Sequence, residues 1–463
     1  MNKKSFLSAF LLATMIVGLT SVSTVHFGTA QSGIISIMGI DTTWTKANSP
    51  YSLNGPLVVG NGVTLTVEAG ATVNFNNYYI VVNGTLHARG SSADQIHFNG
   101  GNITFTGYSN AWNEQTGSGC IIENAVLSST SIFNGNSLKI ADCAITAGVS
   151  VGGSSIVSSN TITGDVSAAG STLISNNLIT GKVSAGDSSV VSKNAISGGV
   201  YARDLSVISN NAITNSGSQE KNGVVCIGDS SISNNRISGW DTGIDVPSPY
   251  VIEGGYPLIE KNLITNNTNG IYIDILIRSW FSPNIPRIEK NTISHNSVGI
   301  KLSHSNQEPT WKVPLPTIIN NNIQDNSNYN FYVERGVVDI NATYNWWGTT
   351  DTQLINLTIY DYKYALGLGT VYFVPILTEP NPQAMPDPNA PIPTPTTTPS
   401  PSPSPSPSPS PSPSQNSTTP DQSNTQNTPQ TGLNGIETAI LTVLIVIAAL
   451  LIVIVALVLK KRR

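Results

Sequence analysis

Two aspartates and an arginine near the middle of this chain could do chemistry together. Asp245, Asp274 and Arg278 lie close to one another in the sequence. A pair of carboxyl groups can supply the acid and the base that hydrolyse a glycosidic bond. A hydrolase needs two or three converging carboxyl groups, and this stretch offers only two. We therefore expect the region to be non-catalytic and keep a polysaccharide-acting enzyme as the alternative.

Aromatic residues are concentrated in the same part of the chain, whereas the residues before it are rich in Ser and Thr. Flat rings beside polar groups are suited to stacking against the faces of sugars. The alternative is that the rings only pack their loops onto the rest of the fold. The candidate glycan-binding residues are Tyr250, Tyr256, Tyr272, Trp280, Phe281 and Trp311.

A repeat of 17 residues must position these groups. Its shared position falls at Cys143, Asn160, Asn177, Asn194 and Asn211, and it continues with wider spacing through Asn235, Asn262, Asn291 and Asn321. Asn124 reads as an earlier copy. Apolar residues recur three before this position and two, six and eight after it. Steps of two within each group are the period of β-strands, and a repeat of this length indicates stacked units.

Three short strands per repeat, bent at corners, satisfy this pattern. Seventeen extended residues give a perimeter of roughly 56 Å, which is enough for one small coil. We expect the shared Asn to occupy a corner, because Asn tolerates left-handed backbone angles and its amide can bond to the coils above and below. The small residues four places later, Ala147, Gly164, Gly181 and Gly198, suit a turn. The sequence predicts an all-β parallel solenoid.

Two further segments resemble known proteins. Residues 55–98, "GPLVVGNGVTLTVEAGATVNFNNYYIVVNGTLHARGSSADQIHF", are similar to the first coils of many right-handed parallel β-helix proteins, and "NATYNWWGTTD" (341–351) resembles their C-terminal closing motif. The chain looks most similar to the parallel β-helix repeats of NosD-like proteins and of archaeal surface proteins. This resemblance implies a right-handed helix. The copper link that the NosD name suggests has no Met, His or Cys cluster to support it.

The candidate residues fall where the coils lengthen after Asn235. The additions follow strands reading "GIDV", "GIYI" and "GIKL", so the three loops between Pro247 and Pro316 should emerge on one side of the solenoid. The outward position of these strands holds Asp245, Tyr272 and Lys301. In polysaccharide enzymes that share the fold, this side forms the cleft. A calcium-dependent lyase of that type would need several stacked carboxylates with an Arg or Lys base.

Two features of the 17-residue coils concern metals and partners. Asp187 and Asp204 share an offset and should stack about 5 Å apart. A calcium ion needs six or more oxygen ligands, so we expect no cofactor and keep Ca²⁺ at this pair as the alternative. Ile156, Leu173, Val190 and Val207 should form an outward apolar stripe. The stripe would contact a partner or lie under another segment of the chain.

The two ends of the chain predict its location. Residues 1–30 read as a signal peptide, 31–379 as the β-helix ectodomain, and 380–435 as a Pro/Ser/Thr-rich stalk. Residues 436–459 read as a transmembrane helix, and the basic tail 460–463 places the C-terminus in the cytoplasm. Sequons suited to an extracellular protein occur at Asn83, Asn102, Asn266, Asn341, Asn356 and Asn416.

These features together predict a single-pass surface protein with a structural, adhesive or glycan-binding role. Charged residues make up only 11% of the chain and the net charge is −5, which excludes nucleic acid as a partner. The expected partners are the membrane and either polysaccharide or surface-layer proteins. The alternatives are an extracellular polysaccharide lyase or hydrolase that uses the loops at 247–316, and a surface-layer scaffold subunit that uses the apolar stripe.

Overall fold

The computed structural model describes residues 35–248, 254–275, 283–304 and 315–387. Within these residues the regular secondary structure is almost entirely β-strand, with one 3₁₀ turn at Lys46–Asn48 and one short α-helix at Thr352–Leu357. Every strand in the three large sheets pairs with the strand three places earlier or later, except at the last strand of the first sheet, and every pairing is parallel. The fold is a parallel β-helix.

The first sheet has fifteen strands, which lengthen from 3 residues at Val200–Ala202 to 7 at Tyr329–Arg335 before a last strand of 2 residues. In order across the sheet they are Ser36–Met38, Leu57–Val59, Tyr79–Val82, Asn102–Phe105, Ser131–Asn134, Val149–Val151, Val166–Ala168, Val183–Ala185, Val200–Ala202, Asn222–Cys226, Thr242–Val246, Asn269–Ile275, Val298–His304, Tyr329–Arg335 and Ile359–Tyr360.

The second and third sheets have thirteen strands each. The second comprises Thr42–Trp44, Thr64–Val67, Thr85–Arg89, Ile121–Glu123, Lys139–Ala141, Ile156–Ser158, Leu173–Ser175, Val190–Ser192, Val207–Ser209, Ser231–Ser233, Leu258–Glu260, Arg287–Glu289 and Thr317–Ile319. The third comprises Tyr51–Ser52, Thr72–Asn74, Ile96–Asn99, Ala125–Ser128, Ala144–Ile145, Thr161–Ile162, Leu178–Ile179, Ala195–Ile196, Ala212–Thr214, Arg236–Ser238, Leu263–Thr265, Thr292–Ser294 and Asn322–Gln324. A two-stranded sheet, Ile340–Asn341 with Val371–Tyr372, follows at the end.

The four predicted inward positions of each coil form the core. In one coil they are Val157, Ile162, Val166 and Ala168, and all four are buried. Each pairs in register with its counterpart one coil away, as Val157 does with Ile174 and Ile162 with Ile179. The spacing of apolar residues therefore predicted both the strands and the faces that they bury.

The repeated Asn residues form a continuous buried ladder from Asn160 to Asn345. Each side-chain oxygen accepts bonds from the backbone N–H and the amide of the preceding member, as Asn194 does from Asn177 at 2.9 Å. Cys143 occupies the equivalent position one coil before Asn160, and its backbone N–H donates a hydrogen bond to the side-chain oxygen of Asn160. A second ladder, not anticipated from the sequence, joins Asn267, Asn296 and Asn326 at another corner.

Two details of the predicted corner are wrong. The residue with left-handed backbone angles is the one directly before each ladder Asn, for example Asn176, Lys193 and Asn210. Asn124 has a φ of 49° and belongs to this left-handed column, so it is not a ladder member. Glu123 pairs with Ala141 in the second sheet. Two residues later, Ala125 therefore takes the position that Cys143 has in the next coil, and Ala125 is the buried ladder position of its coil.

The small residues four places after the ladder are required by close approach rather than by a turn angle. A Cβ added at Gly164 would lie 2.2 Å from the carbonyl oxygen of Ala147. Added at Gly181 or Gly198, it would meet the backbone of the previous glycine at the same distance. Successive coils touch backbone to backbone along this column.

Candidate functional site

The outward row of the first sheet changes character toward its C-terminal end. In the 17-residue coils this row contains Ser150, Ser167 and Ser184. It then continues through Tyr201 and Val225 to Asp245, Tyr272, Lys301, Tyr332 and Tyr360, each paired in register with the next. All of these side chains from Asp245 onward are half-buried. We define the tyrosine–carboxylate face as Asp245, Tyr272, Asp274, Lys301, Tyr329, Tyr332, Glu334, Tyr360 and Tyr364.

The aromatic rings of this face stack along the axis of the solenoid. Tyr332 stacks on Tyr360 with ring centroids 4.7 Å apart, and Tyr360 stacks on Tyr364 at 5.1 Å with nearly parallel planes. Lys301 places its ammonium group 5.5 Å from the ring centre of Tyr272 and 6.0 Å from that of Tyr332. Tyr329 meets the edge of Tyr360 at 5.4 Å. The result is a column in which groups from successive coils hold one another in place.

This stacking limits how a sugar could use the rings. Lys301 lies over the ring of Tyr272, and the rings of Tyr332, Tyr360 and Tyr364 cover one another. The ring of Tyr360 is covered on both sides, so it offers a ligand mainly its edge and its phenol hydroxyl. Tyr272 stays a predicted glycan-binding residue, with Lys301 over its ring and its hydroxyl directed at Glu334.

Lys301 on this face and Lys363 beside it are held in ion pairs. The ammonium group of Lys301 lies 2.8 Å from Glu334, and the hydroxyl of Tyr272 lies 3.4 Å from the same carboxylate. Beside Tyr364, Lys363 pairs with the buried Asp361 at 2.9 Å. Arg335, at the end of its strand, is exposed.

Asp245 is a carboxyl group of this face whose acidity is altered by its surroundings. The amide of Asn222 donates a 2.7 Å hydrogen bond to one carboxylate oxygen, while the other oxygen is buried. Burial, with the negative charge of Asp274 as a second cause, raises the pKa of Asp245 to about 6. Burial and Asp274 likewise raise the pKa of the Tyr272 phenol. The predicted pair Asp245 and Asp274 is therefore brought together on one face.

The three strands that precede the long loops are neighbours in the first sheet, as the sequence predicted. Five of the candidate residues, namely Tyr250, Arg278, Trp280, Phe281 and Trp311, lie outside the described residues. Tyr256 is 72% exposed, and its backbone N–H bonds to the carboxylate of Asp229 one coil earlier. It lies just before the strand Leu258–Glu260 of the second sheet and not on the tyrosine–carboxylate face.

The most informative groups were missed by sequence reasoning. Tyr329, Tyr332 and Glu334 belong to "NYNFYVER", which occupies the place of "GIKL" in the next coil, so the repeat alone could have located them. Tyr360 lies in the strand Ile359–Tyr360, which no repeat marks, and Tyr364 lies in the turn after it. The register of Tyr360 with Tyr332 follows only from the fold.

The carboxylates of Asp187 and Asp204 bond to the backbone. Asp187 accepts a hydrogen bond from the N–H of Gly170 at 2.8 Å, and Asp204 accepts one from the N–H of Asp187 at 3.2 Å. Both residues have left-handed backbone angles. Across the part of the chain that the structure describes, no group of three or more His, Cys, Asp or Glu side chains is placed to hold a metal ion.

The remaining predicted surface features differ in exposure. The sequon residues Asn266, Asn341 and Asn356 are exposed, Asn83 and Asn102 are half-buried, and Asn416 lies outside the described residues. The outward stripe of Ile156, Leu173, Val190 and Val207 is half-buried and in register between Lys139 and Ser231. No helix in the described ranges is both long and apolar enough to cross a membrane, and residues 436–459 lie beyond them.

Comparisons with known proteins add little to this geometry. No protein-family model matches the chain, and no curated protein matches it. Among solved structures, the crystal structure of the periplasmic alginate epimerase AlgG is similar at 14% identity, with a TM-score of 0.29, over 73% of this chain and 82% of that one. At this level of overlap the similarity carries no conclusion about activity.

Proposed function

We propose that this chain is a surface-displayed, right-handed parallel β-helix that binds polysaccharide on the tyrosine–carboxylate face. The observation that supports this most is the interlocked column of Tyr272, Lys301, Tyr332, Tyr360 and Tyr364. Binding sites need polar groups that are fixed before the ligand arrives. The column fixes phenol hydroxyls, an ammonium group and carboxylates on one side of a rigid sheet, and these are the donors and acceptors that sugar hydroxyls require.

The test is binding of the full chain, in detergent micelles, to an array of polysaccharides. The matched pair of changes is Tyr332→Phe/Tyr360→Phe, which keeps the stacked rings and removes both hydroxyls. We expect this variant to bind roughly 5- to 150-fold more weakly, because two hydrogen bonds contribute about 1–3 kcal/mol in total. Tyr201→Phe, in the same outward row but before this face, is the control. A Tyr332→Phe/Tyr360→Phe variant that binds as well as wild type would remove the tyrosine–carboxylate face from consideration.

A second candidate, a polysaccharide hydrolase on the same face, is favoured by one observation. A general acid must keep its proton near neutral pH, and the pKa of Asp245 is raised to about 6 beside Asp274. In this scheme the carboxylic acid of Asp245 protonates the glycosidic oxygen, and Asp274 acts as base or nucleophile. Release of reducing ends from a bound polysaccharide, lost in Asp245→Asn, would support the hydrolase; binding without release over days would exclude it.

Segments near the two ends of the sequence support a proposal for the location of the protein. We propose that residues 1–30 direct secretion, that 380–435 form a stalk and that 436–459 anchor the protein with its solenoid outside. Deletion of 436–463 should release the protein from the membrane fraction into the medium. A deletion variant that stays in the membrane fraction would contradict the anchor.

A further inference from the structure

We propose that residues 388–393 dock along the outward surface of the third sheet, with Ile392 seated on Ala195. The occupant of this surface is therefore a segment of the same chain. Of the region 380–435, which is proposed as a stalk, the part up to residue 393 then belongs to the surface of the solenoid. Three features support the docking: the path of the residues before the segment, the side chains ahead of that path, and the position of Ile392.

The chain runs back toward the N-terminal coils after its last strand, Val371–Tyr372. Asn381 exchanges two hydrogen bonds with Asn322, at 2.8 and 3.0 Å. Thr292, which pairs in register with Asn322 from one coil earlier, donates its hydroxyl to the carbonyl of Ala384. Between Asn381 and Ala384 the chain therefore moves back by one coil in three residues, along one outward row of the third sheet.

The residues on this path are packed against the sheet. Ala384 is fully buried, and Pro386, two residues later, is buried as well. The side chain of Asn381 also donates a 2.6 Å hydrogen bond to the carbonyl of Asn320. The described chain ends one residue after Pro386, so it is held on the third sheet almost to its last residue.

The same outward row continues ahead of this path. One coil at a time, and in register, it comprises Leu263, Arg236, Ala212, Ala195 and Leu178. All five residues are half-buried. The two alanines are the smallest of them and leave a depression between Leu178 and Arg236. A larger apolar side chain from a covering segment fills such a depression.

The composition of the segment suits this row. Three of the six residues 388–393 are proline, which has no N–H, so the segment needs few acceptors while its carbonyls need donors. Side-chain donors already meet this need where the row is covered, because the hydroxyl of Thr292 and the amide of Asn322 both donate to carbonyls of the returning chain. Arg236 adds a guanidinium group, which has only donors, further along the row.

The length of the segment places Ile392 over the alanines. At one coil in three residues, Asp387 comes level with Leu263. A Pro-rich chain then advances about 3.1 Å per residue along coils about 4.8 Å apart, so the five residues to Ile392 cross about three coils and reach Ala195. From residue 386 to residue 432, Ile392 is the only large aliphatic side chain. Its seat on Ala195 removes that apolar surface from water.

The test is disulfide formation in the full chain, in detergent micelles, under mild oxidation by glutathione disulfide. Ala195→Cys/Ile392→Cys places one thiol in the row and one in the segment. The control, Val190→Cys/Ile392→Cys, places the first thiol in the same coil but on the outward stripe of the second sheet. We expect the first pair to form an intramolecular disulfide at least about 10-fold faster, because a seated residue has a higher effective concentration than a tethered one. The three native cysteines are buried and should not compete.

Labelling by a maleimide gives a second measurement that needs no disulfide. The thiol of Ala195→Cys should react at least about 3-fold faster when Ile392→Ser is added, because the aliphatic side chain that covers it is lost. The thiol of Val190→Cys should react at the same rate with and without Ile392→Ser.

Three results would overturn the docking. Equal disulfide rates for the two pairs would mean that the segment meets both surfaces alike. A disulfide that joins two molecules would assign the row to a second copy of the chain. A labelling rate of Ala195→Cys that Ile392→Ser leaves unchanged would mean that Ile392 does not cover this position. The tyrosine–carboxylate face lies on the first sheet, so none of these results decides the proposed function.

Discussion

At the scale of single residues, Asp245 shows how position within a repeat alters a carboxyl group. The same outward position holds serine in the 17-residue coils, where a hydroxyl needs no counter-charge. Here a carboxylate takes that position, and a single amide, from Asn222, bonds to it. Desolvation outweighs this hydrogen bond, and the neighbouring Asp274 adds repulsion, so the pKa of Asp245 is raised.

This raised pKa predicts how stability depends on pH. The pKa rises from 3.8 to about 6 in the folded protein. Folding therefore favours the protonated form: the group imposes no penalty below about pH 4, and the penalty grows as pH rises through 6. At pH 7.5, Asp245→Asn should stabilise the protein by about 1–3 kcal/mol, since one pKa unit corresponds to 1.36 kcal/mol.

The measurement is the Tm of wild type and Asp245→Asn at pH 4 and pH 7.5. We expect the two proteins to melt together at pH 4 and the variant to melt higher at pH 7.5. The Asn side chain retains an oxygen that can accept the bond from Asn222. An equal or larger gain at pH 4 would show that the charge of Asp245 is not the cause.

At the scale of the coil, contact between successive backbones makes one column intolerant of any side chain. The Cβ of an alanine at Gly181 would lie 2.2 Å from the carbonyl oxygen of Gly164, and no rotamer can relieve contact with a backbone atom. Gly181→Ala should therefore cost about 3 kcal/mol or more. Ala147→Gly, at the first position of the same column, should cost only about 0.5–1 kcal/mol.

Chemical denaturation of both variants tests this expectation. The midpoint for Gly181→Ala should fall well below that for Ala147→Gly. Similar midpoints would mean that the coils can separate locally at little cost, and that the small residues in this column are not required by close approach.

The coil also shows why part of the fold was predictable from the sequence and part was not. Strict offsets from the ladder Asn predicted the strands, the buried positions and the neighbouring strands beneath the long loops. The misassigned Asn124 has a physical cause, because Asn suits both the buried ladder and the left-handed position before it, as Asn176 and Asn177 show in one coil. The stacked tyrosine rings of the tyrosine–carboxylate face could not be predicted in full, since Tyr360 lies in a strand that no repeat marks.

At the scale of the whole molecule, the described coils share one continuous core but not one continuous ladder. The Asn ladder runs from Asn160 to Asn345, whereas the coils before Asn160 have Cys143 and Ala125 in its place. Near its far end the ladder is closed by further contacts: Trp346 bonds to Gln324, and Asn381 exchanges two bonds with Asn322. In a solenoid each coil contacts only its neighbours, so stability can differ along the axis.

The three cysteines can be used to measure how stability differs along the axis. Cys120, Cys143 and Cys226 are free and buried. Burial raises the pKa of Cys120 to about 11 and that of Cys143 to about 12, and it raises the pKa of Cys226 as well. Because the thiolate is the reactive form, all three should resist a thiol reagent at pH 8 in the native protein.

Under mild denaturant the order of labelling should follow the ladder. Cys120 lies two coils before the first ladder Asn, while Cys226 lies in a coil between Asn211 and Asn235, which bond to each other at 3.0 Å. Each ladder residue satisfies buried groups in two coils, so opening a coil there leaves several buried polar groups unpaired. We expect Cys120 to be labelled first and Cys226 last, with peptide mass spectrometry giving the rate at each site. Asn211→Ala should accelerate labelling of Cys226 more than that of Cys120. Equal rates at all three thiols in wild type would instead mean that the coils open as one unit, and that the ladder gives no local protection.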